Sequence, residues 1–80
     1  MVLNLTNSLQ IYKKLLGEKK VEIIEFLATS PDKYGFINLT IDEICKATNS
    51  SKPTVIDTLA LLRKKGVMKR IKNGVYKLTL

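Results

Sequence analysis

From Thr40 onward the chain carries its own punctuation, and this leaves little freedom in how it folds. Thr40 and Glu43 stand at the spacing of a capping box, where the hydroxyl accepts the backbone N–H of Glu43 and the carboxylate accepts that of Thr40. Ile41, Ile44 and Cys45 form the inward face of the helix so opened, and the run ATNSS breaks it after about Ala47. Ser51 caps a second helix with Lys52, Pro53 and Thr54 in its first turn. Proline is tolerated there because its missing N–H would have had no intrahelical partner. Val55, Leu59 and Leu62 recur at i, i+4 and i+7, so one side of this helix faces a core, and Gly66 stops it. Two β-type runs, 67–71 and 75–80, then flank Asn73 and Gly74. That pair favours a type I′ hairpin turn, which needs positive φ at both central residues. The order is helix, brief turn, helix, two-stranded hairpin.

The upstream half supplies helices to pack against this unit. Residues 8–16 form a short helix capped by Asn7 or Ser8 and stopped by Gly17, with Leu9, Tyr12 and Leu16 along one side and Ile11 and Leu15 beside them. A helix this short is marginal in water, so its stripe must dock, either on its own domain or on a second subunit. Residues 18–28 form another helix, with Val21, Ile24 and Leu27 inward, Ile23 and Phe26 adjoining, and Glu18, Lys19, Glu22 and Glu25 outward. The stretch TSPDKYG is turn chemistry, and residues 36–39 read as a short strand.

Charge is distributed as unevenly as structure. From Lys52 to Leu80 eight basic residues stand against Asp57 alone, which is the whole net charge of +7, while residues 1–51 carry six charges of each sign. A single-sign field on one compact unit attracts a polyanion and orients it, and nucleic acid is the leading candidate.

Eighty residues make one domain with a thin core, and 45% hydrophobic against 26% charged is ordinary for a globular chain. No apolar run approaches the roughly 20 residues needed to cross a bilayer, and MVLNLTNSLQ does not read as a secretory signal, so a cytoplasmic, nucleoid-associated location is expected. The chain has no histidine and one cysteine, which removes the usual zinc ligand sets and Cys/His nucleophilic pairs. Cys45 reads as a small core residue. The carboxylates form no evident acid/base pair, and the four glycines form no phosphate-cradling loop. No enzyme, metal or cofactor is expected.

The run LTIDEICKATNSSKPTVIDTLALLRKKGVMKRIKNGVYKL resembles a winged helix-turn-helix. The T-I-D-E-I helix, the S-K-P-T-V start of a recognition helix, the L-x-x-L-x-x-K-G ending and the K-R-x-x-N-G-V-Y wing carry the resemblance. Within that superfamily the chain is similar to plasmid replication proteins of the RepL type, and more loosely to MarR-type regulators. The resemblance spans about residues 18–80. It implies an α+β, mainly α, winged-helix fold with a three-helix core and a C-terminal hairpin wing at 18–80, to which residues 1–16, outside the resemblance, add an extra N-terminal helix. It also implies that the helix starting at Ser51 and the wing around Asn73 and Gly74 face DNA.

Helical geometry agrees, because turning Val55, Leu59 and Leu62 inward exposes Pro53, Thr54, Asp57, Ala60 and Lys64. Thr54 can bond a base edge or phosphate, and Asp57 can accept from cytosine N4 or simply balance Arg63 or Lys64. Ser50, Ser51 and Lys52 sit where free N–H groups and the positive end of the helix dipole suit a phosphate. In the wing, alternation puts Lys69 and Ile71 on one face and Arg70 and Lys72 on the other. Arg70, Lys72, Asn73 and Gly74, with Lys69 nearby, are the candidate contacts to phosphate or minor groove. Lysines also protect an exposed hairpin edge from aggregation, with or without a ligand. Tyr76 is expected to pack beside the hairpin, and Ile56 and Leu61 to shelter against the wing or a partner.

These features favour sequence-specific binding of double-stranded DNA in transcriptional control, as a dimer whose seam is Leu9, Ile11, Tyr12, Leu15 and Leu16. The alternatives are an origin-binding module of a plasmid or viral replication protein, and a winged-helix module whose basic face meets an acidic protein.

Overall fold

Gly17 joins two helices that contact each other, and the second of them packs against the two helices that follow. The computed structural model describes residues 5–79. The order is α1 (Leu5–Leu16), α2 (Glu18–Ala28), β1 (Phe36–Ile37), α3 (Ile41–Thr48), α4 (Lys52–Lys64), β2 (Met68–Lys72) and β3 (Val75–Leu78). The strands form one antiparallel sheet in the order β1-β3-β2. This is a mainly helical α+β winged helix, with α3 and α4 as the helix-turn-helix and β2–β3 as the wing.

The cap signals are realised where they were read. Thr40 Oγ1 accepts the N–H of Glu43 at 3.1 Å, and Glu43 Oε1 accepts the N–H of Thr40 at 3.0 Å. Ser51 Oγ accepts the N–H of Thr54, and Pro53 sits in the first turn of α4. Between the two helices Asn49 takes the left-handed conformation (φ 50°, ψ 48°), which turns the chain sharply enough to start α4 at once. At the far end of α4, Val67 N–H reaches Leu62 O and Gly66 N–H reaches Arg63 O. This is a Schellman closure, and it requires the positive φ of Gly66 (74°).

The core is the set of side chains these elements turn inward: Ile23 and Leu27 from α2, Ile37 from β1, Ile44 from α3, Val55, Leu59 and Leu62 from α4, and Met68 and Tyr76 from the wing. Cys45 is half-buried against it, as a small packing residue would be. Thr58 is fully buried, although hydrophobic periodicity passes over it. Its hydroxyl donates to Thr54 O at 2.7 Å, which removes the cost of burying it.

Four details differ from the sequence reading. Helix α1 begins at Leu5, so Asn7 and Ser8 lie inside it. In α2, Val21 and Leu27 are buried as expected, but Ile23 is fully buried and Ile24 only partly, so these two exchange places. The 36–39 strand is two residues long, but it pairs with β3 and makes the wing's sheet three-stranded. The hairpin turn has positive φ at Gly74 only (75°), so it is not type I′. A register irregularity between Arg70 and Lys72 supplies strand twist that the primed turn would have given. Leu80, the expected end of the last strand, lies outside the described residues.

The α2–β1 loop is organised by Asp32. Its carboxylate accepts the N–H groups of Tyr34 (2.9 Å) and Phe36 (3.0 Å) and the amide of Asn38 (3.2 Å). The Phe36 N–H, then that of Tyr34, hold the Asp32 carboxyl below its ordinary pKa, and the Thr40 N–H does the same to Glu43. Carboxyls with lowered folded-state pKa values add stability that is complete above the ordinary carboxylate range and is lost as pH falls through the folded values. The melting temperature should therefore hold from neutrality to about pH 5 and drop below about pH 4. Asp32→Asn should melt lower at pH 7 and show a shallower acid slope. Parallel acid slopes for the two proteins would remove Asp32 from this account.

Candidate nucleic-acid interface

Helix α4 presents three sides, and each has a separate use. Val55, Thr58, Leu59 and Leu62 are buried in the core. Pro53, Asp57, Ala60 and Lys64 are exposed on the opposite side, where the sequence placed its readers. The third side holds Lys52, Ile56 and Arg63, one helical turn or a multiple apart, and faces the wing across an open cleft of about 360 Å³. Arg70, Asn73, Gly74 and Tyr76 form the wing wall of this cleft, and Thr40, Ile41 and Asp42 line its end. The Arg70 guanidinium donates to Asn73 Oδ1. Arginine has five N–H donors, so this contact fixes its direction and leaves others for a ligand.

Several expected site residues are placed differently from one another. Ser51 caps α4, and its hydroxyl also pairs with that of Thr54 at 2.8 Å. Thr54 is half-buried on the flank away from the wing, so it stands beside the outward face instead of on it. Ser50 braces the turn: its hydroxyl donates to Thr48 O (3.2 Å) and accepts from Thr48 Oγ1 (2.9 Å), while its N–H donates to Cys45 O (3.0 Å). It therefore has no proton left for a phosphate. Lys52 is exposed at the start of α4 and lines the cleft.

The wing faces are reassigned by the irregularity at Ile71. Directly opposed residues of an antiparallel pair point to one side. Arg70 pairs with buried Tyr76 and so faces α4, whereas Lys69 pairs with Lys77 and Lys72 with Val75 on the other side. Arg70 and Lys72, expected together, are separated because one extra residue shifts the alternation by one. Ile56 lines the cleft opposite the wing and remains 42% exposed, so the wing does not shelter it. In the sequence Arg63 stands out only as a partner for Asp57, and Asp42 carries no signal of a role. Counting helical turns from Lys52 through Ile56 would have found Arg63, but the approach of Asp42 depends on how α3 meets the wing.

On the far side of the molecule, α1 leaves Ile11, Tyr12, Leu15 and Leu16 exposed, with Leu15 at 75%, while Leu9 is half-buried. None of the five contributes to the main core.

Among the described residues no helix is long and apolar enough to cross a membrane. The model of a family described as Firmicute plasmid replication protein (RepL) matches residues 3–79. The match includes α1, which the sequence resemblance left outside. No curated protein and no solved structure matches the chain.

Proposed function

Because the chain belongs to the RepL family of Firmicute plasmid replication proteins, we propose that it is a duplex DNA-binding module that marks a replication origin. The family favours this over transcriptional control, the first expectation from sequence. The observation that carries the reading is the side of α4 left free by the core. Pro53, Asp57, Ala60 and Lys64 are exposed there, and Lys52, Arg63 and Arg70 flank them toward the wing. A major groove about 12 Å wide admits one helix. With α4 in the groove, the cations along the cleft lie toward the neighbouring phosphates, and Arg70, held by Asn73, reaches the backbone or minor groove beside it. The module performs no chemistry on DNA, and it acts in the cytoplasm.

The test is retention of a randomised duplex pool on the full chain at two salt concentrations, followed by sequencing of what is bound. An enriched motif supports the reading. Retention without enrichment that vanishes as salt rises would leave only a nonspecific basic face.

The two contact classes predict different defects. Arg70→Ala should weaken every duplex alike and lower the slope of log affinity against log salt by about one. Asp57→Ala should change which sequences are preferred. Equal losses on all probes for both variants would contradict these roles.

A second copy of the chain is the proposed cover for α1. Two copies joined there would carry two recognition helices, and an enriched palindrome would match that symmetry. Leu15→Asp should then give a folded monomer by sedimentation, with weakened binding to the enriched site. A variant whose mass equals that of the wild type would exclude this seam.

A further inference from the structure

The sheet has two sides, and the duplex reading uses only one. The side turned toward the helices carries Ile37 and Tyr76, which oppose each other across β1 and β3. The other side carries a row across all three strands: Lys69 on β2 opposes Lys77 on β3, and Lys77 opposes Phe36 on β1. Lys72 joins the same side through its pairing with Val75. Like charges directly opposed on one face destabilise a strand pair. No Asp or Glu lies in any of the three strands to offset them, and among the described residues no salt bridge reaches these lysines. Asp32, the acid nearest in sequence to β1, already accepts three hydrogen bonds from its own loop.

Aromatic rings lie beside this charge. Lys77 Nζ is 5.4 Å from the centre of the Phe36 ring, and Lys33 Nζ is 5.1 Å from that of Tyr34. Tyr34 is 67% exposed, two residues before Phe36 at the edge of the sheet. Cations in a row, and an exposed ring in the turn that leads into the edge strand, are the two elements by which proteins hold unpaired strands: charge along the backbone and a flat face on which bases stack. Bases stacked within a duplex do not offer their faces to such a ring.

We propose that this outer side of the sheet is a second nucleic-acid surface, one that takes single-stranded DNA, with Lys69, Lys72 and Lys77 along the phosphates and a base stacked on Tyr34. It looks away from the side that faces α4, so a duplex on α4 and a single strand on the sheet can be held at once. That arrangement suits a junction where duplex opens into single strands.

The test measures anisotropy of a labelled oligothymidylate of about 15 nucleotides, within the range covered by small single-strand binders, against the full chain. A labelled duplex is measured in parallel. Lys69→Gln with Lys77→Gln should lower the salt slope for the oligothymidylate by about 1.4, at about 0.7 per lost phosphate contact. Tyr34→Ala should weaken the oligothymidylate at least about fivefold. Tyr34→Ala should leave duplex affinity within about twofold, and the lysine variant should weaken the duplex clearly less than the oligothymidylate. The double variant should also melt no lower than the wild type, since it removes a repulsion.

Equal weakening of both probes by the lysine variant would assign the row to the duplex site and overturn the proposal. Unchanged single-strand binding by Tyr34→Ala, with heparin competing as well as oligothymidylate, would reduce the surface to a general polyanion patch and also overturn it. Single-strand binding with no duplex motif would support this surface while removing the α4 reading, so the two can fail separately.

Discussion

Ala60→Glu is expected to cut affinity for duplex DNA on the order of a hundredfold while leaving the fold intact. Ala60 is exposed near the middle of the outward side of α4, one turn after Asp57 and one turn before Lys64. Glutamate is a good helix former, and a Glu four residues before Lys64 adds a favourable pair worth about 0.3 to 0.5 kcal/mol. Stability should therefore stay level or rise slightly. In a docked groove the same carboxylate would face phosphates and base-edge acceptors, and like-charge juxtaposition at an interface costs several kcal/mol. Anisotropy on the enriched duplex and a thermal melt, run on the same sample, separate the two effects. Undiminished affinity with a normal melt would show that this side of α4 does not enter DNA.

The second large effect is on the fold itself. Ile44 is fully buried where α3 meets the core, and Ile44→Ala should destabilise the protein by about 2 to 5 kcal/mol. At roughly 0.05 to 0.15 kcal/mol per residue, a chain of this length has a total of only about 4 to 12 kcal/mol. The variant should therefore melt more than about 10 °C lower, and it should bind duplex poorly because α4 is held against α3. Cooperative melting near the wild-type temperature would mean that the core around α3 repacks without loss. Leu15→Asp on exposed α1 provides the contrast, since it should disturb assembly and leave the melt of the core largely unchanged.

Most of the helical scaffold was legible because its signals are local. The Thr40–Glu43 box, the Ser51 cap with Pro53, and the Gly66 stop each act within a few residues, and each formed as read. The inward stripe of Val55, Leu59 and Leu62 needed only the helical period. Two local signals did not hold. At α1 the helix runs through the cap residues Asn7 and Ser8, and at Asn73 a hairpin pair usually seen with positive φ at both positions adopted it at one.

The candidate site was legible in its residue types but less so in its geometry. Pro53, Asp57, Ala60 and Lys64 are exposed as helical counting required. Ser50 illustrates the limit: a serine before a helix start is a fair phosphate ligand until the turn uses all its hydrogen-bonding protons, and that use depends on Thr48 and Cys45 being brought back to it. The wing shows the same dependence more strongly, because a single residue of irregularity exchanges the faces of every side chain beyond it.

By itself, the sequence determined where α3 and α4 begin, where glycines stop α1 and α4, the inward stripe of α4, and the concentration of positive charge in the last third. These follow from interactions between residues a few positions apart, or from composition alone. Tertiary structure decided that β1 joins the wing, that Arg70 faces α4 while Lys69, Lys72 and Lys77 share the other side, and that Arg63 and Asp42 come to the same cleft. Strand register and helix-to-wing contact arise between segments tens of residues apart, and are fixed by which pairing buries Ile37, Met68 and Tyr76 together.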